Sequence, residues 1–157
     1  VFDTRWKVIC VYAPNEVTNR ITFFHHLRPY LIYDRMLVLL GDSNCVCDEA
    51  DRAPTKARIV KSARLLLDLV DEGNLFDAAS FQLGGKQLSY KHFQNSSHAR
   101  LDRIYCSAEL IGNLNGYAVD PVFFTDHCMV SVTVGHKRRK KNTNWKLWKL
   151  NNQLLKD

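Results

Sequence analysis

The chain has 157 residues, 46% apolar and 24% charged, enough to bury one core and too few for two full domains. That balance excludes wholesale disorder, and the longest apolar run, Met36 to Leu40, is far too short to span a membrane. The net charge is +6, yet Lys137, Arg138, Arg139, Lys140 and Lys141 form one run, and without it the body is near neutral. Such an arm suits a phosphate backbone or nuclear import, and a solvated linker has the same composition.

Val1 to Ala13 contains Asp3, Arg5 and Lys7 and alternates like a strand, so no signal peptide is visible. The 5 cysteines form an odd set, which without a secretory signal points to a reducing, intracellular compartment. Cys10, Cys106 and Cys128 lie in apolar strand contexts and read as small core residues. Cys45 and Cys47 lack a second pair at zinc-finger spacing.

In chain order, Trp6 to Tyr12 reads as a strand, stopped by Pro14, with Asn15 placed to cap a helix. That helix carries Ile21, Phe24, Leu27 and Leu31 at spacings of three and four, and Pro29 should end or kink it. Met36 to Leu40 is continuously apolar, as a strand covered on both faces would be. An acidic loop follows at Asp48, Glu49 and Asp51. Thr55 is the expected cap of a second helix, with Leu66, Leu67 and Val70 on its stripe and Gly73 as its stop. Gly84-Gly85 marks a turn, and strands are then expected over Leu88 to Phe93, Ala99 to Cys106, Tyr117 to Phe124 and Cys128 to Val134. The order strand–helix–strand–helix followed by several strands predicts an α/β layered sandwich with mixed sheets flanked by helices. Residues 1–135 read as the folded body and 136–157 as a basic arm and exit segment.

Strand ends are where α/β sheets place chemistry, and several polar residues sit there. Gly41-Asp42-Ser43-Asn44 is good turn chemistry; equally, Asp42 can bind or activate water beside the Asn44 amide. Asp126 and His127 are consecutive and can share a site only where the chain bends. Asp102, flanked by Leu101 and Ile104, needs a partner, and either His127 or the adjacent Arg100 and Arg103 can supply it. Tyr12 is either a core phenol or a donor to a phosphate oxygen.

Taken as an ordered set, Val11 to Asn15, Leu40 to Asn44, Arg100 to Tyr105 and Thr125 to Val130 resemble the endonuclease/exonuclease/phosphatase superfamily. In detail they resemble the apurinic-type endonuclease domain of non-LTR (LINE-like) retrotransposons. Ser89-Tyr90 is similar to that family's Thr-Trp pair, and Trp148 to Asn152 to the segment leading toward a reverse transcriptase. The resemblance implies a DNase I-like fold, Mg²⁺ or Mn²⁺ as cofactor, DNA as substrate and a reverse transcriptase domain of the same polyprotein as partner.

By position, the resemblance implies that Asp42 orients or deprotonates the attacking water and that Asn44 binds the scissile phosphate. Tyr12 then stabilises the phosphate or leaving oxygen, Asp126 assists the metal, His127 contacts the phosphate and Asp102 orients His127. It further implies that the N-terminal strands, with an Asn and the main metal-binding Glu, precede Val1. The expectation is therefore an impaired target-nicking endonuclease. A non-catalytic remnant that binds nucleic acid through its arm is the first alternative, and a small-molecule phosphoesterase the second.

Overall fold

The computed structural model describes residues 5–33, 36–81, 87–92 and 96–135. The basic run, the Trp148 to Asn152 stretch and the Gly84-Gly85 turn lie outside the described residues.

The central sheet has the order β1-β2-β7-β4. The apolar run of the sequence becomes β2 (Met36–Asp42), and β1 (Trp6–Tyr12) lies parallel to it. Helix α1 (Val17–Leu27) connects the two, as a parallel pair requires. A 3-10 turn at Arg28–Leu31, with Pro29 inside it, ends that helix. On the other side, β7 (Asp102–Ser107) runs antiparallel to β2, and β4 (Leu75–Asp77) antiparallel to β7.

Period-two alternation sorts the sheet's side chains onto two faces. Leu37, Leu39 and Tyr105 point to the face covered by α1 and by α2 (Lys61–Glu72), against Phe24, Leu27, Leu66 and Leu69. Val38, Ile104 and Cys106 point to the opposite face. There the hairpin of β8 (Leu114–Pro121) and β9 (Cys128–Val134) covers them with Tyr117, Val130 and Val132. Helices, sheet and second sheet form the predicted layered α/β sandwich. A small sheet of β3 (Arg52–Ala53), β5 (Tyr90–Lys91) and β6 (His98–Ala99) closes one end, and α3 (Ala108–Ile111) follows β7. Among the described residues no helix is long and apolar enough to cross a membrane.

The hairpin does not reach β1. Parallel partners share a face, so Trp6, Val8, Cys10 and Tyr12 continue the face of Met36, Val38, Leu40 and Asp42. They are nevertheless exposed, Val8 at 59% and Tyr12 at 73%. This corrects the reading of Cys10 as a core residue; Cys106 is buried as expected, and Cys128 is half-buried.

Three local expectations also change. The second helix begins at Lys61 after Val60, not at Thr55. The acid-rich loop first makes its own 3-10 turn, Glu49–Asp51, in which the Asp48 carboxylate accepts from the Ala50 N–H at 2.9 Å. Asn15 does not cap α1; Glu16 holds that position without a side-chain cap. The buried Arg20 instead donates to the carbonyls of Pro14 at 2.9 Å and Asn15 at 2.7 Å. Strand β8 stops at Pro121, which has no N–H to extend a ladder, so Phe123 and Phe124 fall in the turn.

The acidic loop is also a structural anchor. Asp51 is fully buried and ion-paired to both Arg100 and Arg103, and Asp77 pairs with Arg100 at 2.6 Å. With both guanidiniums turned to this network, Asp102 is left to a different partner.

Candidate active site at the sheet rim

Strand register alone brings three of the candidate residues into one row. Tyr12 lies opposite Asp42 across β1 and β2, and Asp42 lies opposite Asp102 across β2 and β7. Side chains in register on adjacent strands share a face. Here that face is the one carrying the β8–β9 hairpin, whose connecting turn bears His127.

His127 is positioned from two sides. Its backbone bridges to Tyr90, and the two rings pack at a centroid distance of 4.9 Å. Its N–H donates to Thr125 Oγ1 at 3.2 Å. Its Nδ1 lies 2.9 Å from Asp102 Oδ2. An ionised carboxylate only accepts, so Nδ1 carries the proton. Arg100 and Arg103, the competing partners weighed for Asp102, are spent on Asp51 and Asp77.

Ser89 completes this relay. Its hydroxyl accepts from the N–H groups of Leu101 at 3.2 Å and Asp102 at 3.0 Å, so its own proton goes to Asp102 Oδ2 at 2.7 Å. Ser89 is fully buried, and its backbone carbonyl accepts from the Cys128 N–H, two residues beyond Asp126. Ser89 thus ties the start of β7, through its hydroxyl, to the start of β9, through its carbonyl.

Asp42 and Asn44 are held in a tight turn rather than a loose loop, so the turn and site readings are compatible. The Asn44 N–H donates to Asp42 Oδ1 at 2.8 Å, and Asn44 has φ of 49°. Its Nδ2 donates to the Ala13 carbonyl at 2.6 Å, which locks the amide to the end of β1. Ser43 is buried, and its hydroxyl donates to the Leu101 carbonyl at 2.7 Å. Ser43 thereby ties the turn to the residue before Asp102. Burial pushes the Asp42 carboxyl above the ordinary range, and the Asp102 charge adds to this. The Asn44 N–H, His127 and Arg20 oppose the rise.

Asp42, Asp102 and His127 together present ligand atoms within 4.8 Å of one another, the group of that kind among the described residues. Their chemistry fits a divalent cation. Mg²⁺ would take carboxylate oxygens of Asp42 and Asp102, while Mn²⁺ also accepts imidazole. Asp102 Oδ2 is already occupied by two donors, so Asp42 is the less committed of the two carboxylates. Asp126, read as the metal residue, is not in this group. Its carbonyl takes the Lys91 N–H, and its carboxylate lies 3.5 Å from Thr125 Oγ1. Neither Cys45 nor Cys47 joins it; both thiols are buried.

Arg20 and Ser43 carried no signal in the sequence. An Arg on a helix usually faces water, and only the fold reveals that this one fastens the loop after Tyr12.

This arrangement defines a class. The chain has the endonuclease/exonuclease/phosphatase fold. The 3′ phosphatase NExo from Neisseria bound to product DNA hairpin superposes with a TM-score of 0.69 at 18% identity, over 82% of this chain and 61% of that one. An AP endonuclease from Archaeoglobus fulgidus gives 0.66 at 14% identity, with the same 82% and 61% coverage. The endonuclease domain of TRAS1, a telomere-specific non-LTR retrotransposon, gives 0.58 at 13% identity, over 82% of this chain and 56% of that one.

In sequence, the chain is similar to the transposon TX1 uncharacterized 149 kDa protein of Xenopus laevis, 28% identical over 159 residues. That match covers 97% of this chain and 12% of the relative's length. No family model matches the chain.

Proposed function

We propose that this chain is the nuclease portion of a non-LTR retrotransposon protein and hydrolyses phosphodiester bonds in target DNA. The observation that carries the reading is the Tyr12–Asp42–Asp102 row with His127 seated on Asp102. The likeness to a transposon protein and to a retrotransposon endonuclease domain favours DNA over small phosphoesters.

In this reading Asp42 accepts a proton from the attacking water. Its raised pKa brings it closer to the working pH, which suits a general base. Asn44, with one amide hydrogen spent on Ala13, keeps a second for a phosphoryl oxygen. In the doubly protonated ring, His127 keeps its Nδ1 proton on Asp102 and offers an Nε2–H donor and a positive charge to the same phosphate, in an orientation fixed by Asp102 and Ser89. The exposed Tyr12 phenol can donate to the phosphate or the departing oxygen. The water oxygen forms the new P–O bond as its proton passes to Asp42, the bond to O3′ breaks, and O3′ takes a proton from the Tyr12 phenol, itself replenished from solvent, and leaves as the 3′-hydroxyl of a nick. A bound divalent cation would neutralise phosphate charge and polarise the P–O bond. Asp42 and Asp102 are the residues that would hold it, and Asp126 precedes His127 in the chain.

The basic run Lys137, Arg138, Arg139, Lys140 and Lys141 is proposed to track DNA phosphates and to act in nuclear import. A reverse transcriptase domain of the same polyprotein is the proposed partner, using the 3′-OH as primer.

The test is nicking of supercoiled plasmid by the full chain in Mg²⁺ and in Mn²⁺, with Asp42→Ala and His127→Ala as controls. Metal-dependent nicking lost in both variants supports the reading. Asp102 Oδ2 is already taken up by Ser89 and His127, and this favours a second reading, a non-catalytic remnant that binds nucleic acid through its arm. DNA binding without nicking in either metal would establish the remnant instead.

A further inference from the structure

Phe123 and Phe124 are 99% and 76% exposed. Large apolar side chains left in water on a well-formed turn invite an explanation by contact. The two rings pack against each other edge to face, 5.1 Å apart at 89°, so they stand as a pair. The turn beneath them is fastened: Pro121 pairs with Cys128 at its base, the Asp126 carbonyl takes the Lys91 N–H at 2.9 Å, and His127 bridges to Tyr90.

We propose that Phe123 and Phe124 are a nucleobase-contacting wedge that reads the DNA beside the scissile phosphate. The inference rests on the nuclease reading for its choice of ligand. Its argument is continuity: the pair belongs to the same short turn as His127, three residues from Phe124. Three residues reach at most about 11 Å, the length of about three nucleotide steps along one strand. Aromatics held that close to a bound phosphate meet the flanking bases. Nucleobases present flat apolar faces of every sequence, which suit an exposed ring pair. Perpendicular rings further suit insertion at a base step, where one ring stacks and the other buttresses it. Such a wedge favours steps that unstack easily, such as TA and CA/TG, over stiff A-tracts. It thus gives this active site a preference for deformable target sites without hydrogen bonds to base edges.

The experiment measures binding of the full chain to a labelled duplex carrying 2-aminopurine at successive positions, in EDTA so that nothing is cleaved. Phe123→Ala/Phe124→Ala should weaken binding about 5–150-fold and abolish the 2-aminopurine response. The salt dependence of binding should keep its slope, because no phosphate contact is lost. Phe124→Trp should retain both affinity and fluorescence response, and Phe124→Leu should lose the response. Unchanged affinity in the double alanine variant would overturn the inference. So would a flattened salt slope, absence of DNA binding by the parent chain, or conversion of a dimer to a monomer with DNA affinity intact. Nicking is read separately: a chain that binds through the pair and never cuts defeats the nuclease reading and leaves the wedge standing.

Discussion

Replacing Asp102 by Asn should cost this site its imidazole orientation while leaving the fold intact. The Asp102–His127 bond is 2.9 Å long, and the side chains are 18% and 29% exposed. A hydrogen bond to a charged group contributes about 1.5–3 kcal/mol, and partial solvation lowers this one to about 1–2 kcal/mol. If that orientation is felt in the transition state, kcat/KM falls about 5–30-fold. With its nitrogen in place of Oδ2, the Asn amide would present a donor to Nδ1 and favour the opposite tautomer. The assay is single-turnover plasmid nicking by the parent, Asp102→Asn, His127→Ala and the double variant. The two changes should be strongly non-additive, because Asp102 acts through His127. Nitrogen-15 NMR of the ring reads the tautomer directly, even where turnover is slow. Nicking by Asp102→Asn within twofold of the parent, with the Nδ1–H tautomer unchanged, would refute the relay. Independent, multiplying effects of the two changes would do so as well.

Asp51→Ala should be severely destabilising, by about 3–5 kcal/mol in urea denaturation, because it leaves the buried Arg100 and Arg103 short of a counter-charge. Gly41→Ala should lower the melting temperature sharply. Gly41 has φ of +128°, and an added Cβ would overlap the Val11 carbonyl of the neighbouring strand. Asp42→Asn should stabilise the protein at neutral pH even as it abolishes nicking. The raised Asp42 pKa favours the protonated native state, so its stabilisation is present below the unfolded pKa and lost as pH rises through the folded one. The variant's advantage in denaturation midpoint should therefore shrink toward zero as pH falls below about 4. Replacing Lys137, Arg138, Arg139, Lys140 and Lys141 together by Gln should flatten the log–log salt slope of DNA binding by up to about four units, and an unchanged slope would make the arm a tether.

Much of the layering was legible because long apolar stretches declare their cover. Met36 to Leu40 could only be a strand buried on both faces, and α2 carries a stripe that demands a sheet beneath it. Ends were harder. The start of α2 was hidden because Val60, which holds its cap position, makes no side-chain cap, and the end of β8 turned on whether Pro121 would be paired through its carbonyl side. The candidate site was read through resemblance more than through spacing. Asp42 alone looks like a turn residue, and only strand register places it beside Tyr12 and Asp102. The choice between His127 and two arginines for Asp102 was undecidable from the sequence. It turns on Asp51, a loop acid that gives no hint of being fully buried. Ser89 was visible only as half of a resembling pair, and Arg20 and Ser43 not at all.

The half-attached strand β1 gives the site a temporal asymmetry. Asp102 hangs from β7, which is hydrogen-bonded on both sides, by β2 and β4, and has a covered face, and His127 and Ser89 are hydrogen-bonded to it. Tyr12 and the Ala13 carbonyl that grips Asn44 hang from a strand that, among the described residues, is hydrogen-bonded to β2 alone. Regions with few buried contacts open locally at a small fraction of the global unfolding cost. The outward amides of β1 should therefore exchange with solvent long before those of β7. Each such opening releases the Asn44 amide and removes the phenol while the His127–Asp102 pair stays assembled. The two halves of the rim thus have unequal lifetimes, and whatever steadies β1 from its open side sets how often the whole site exists at once.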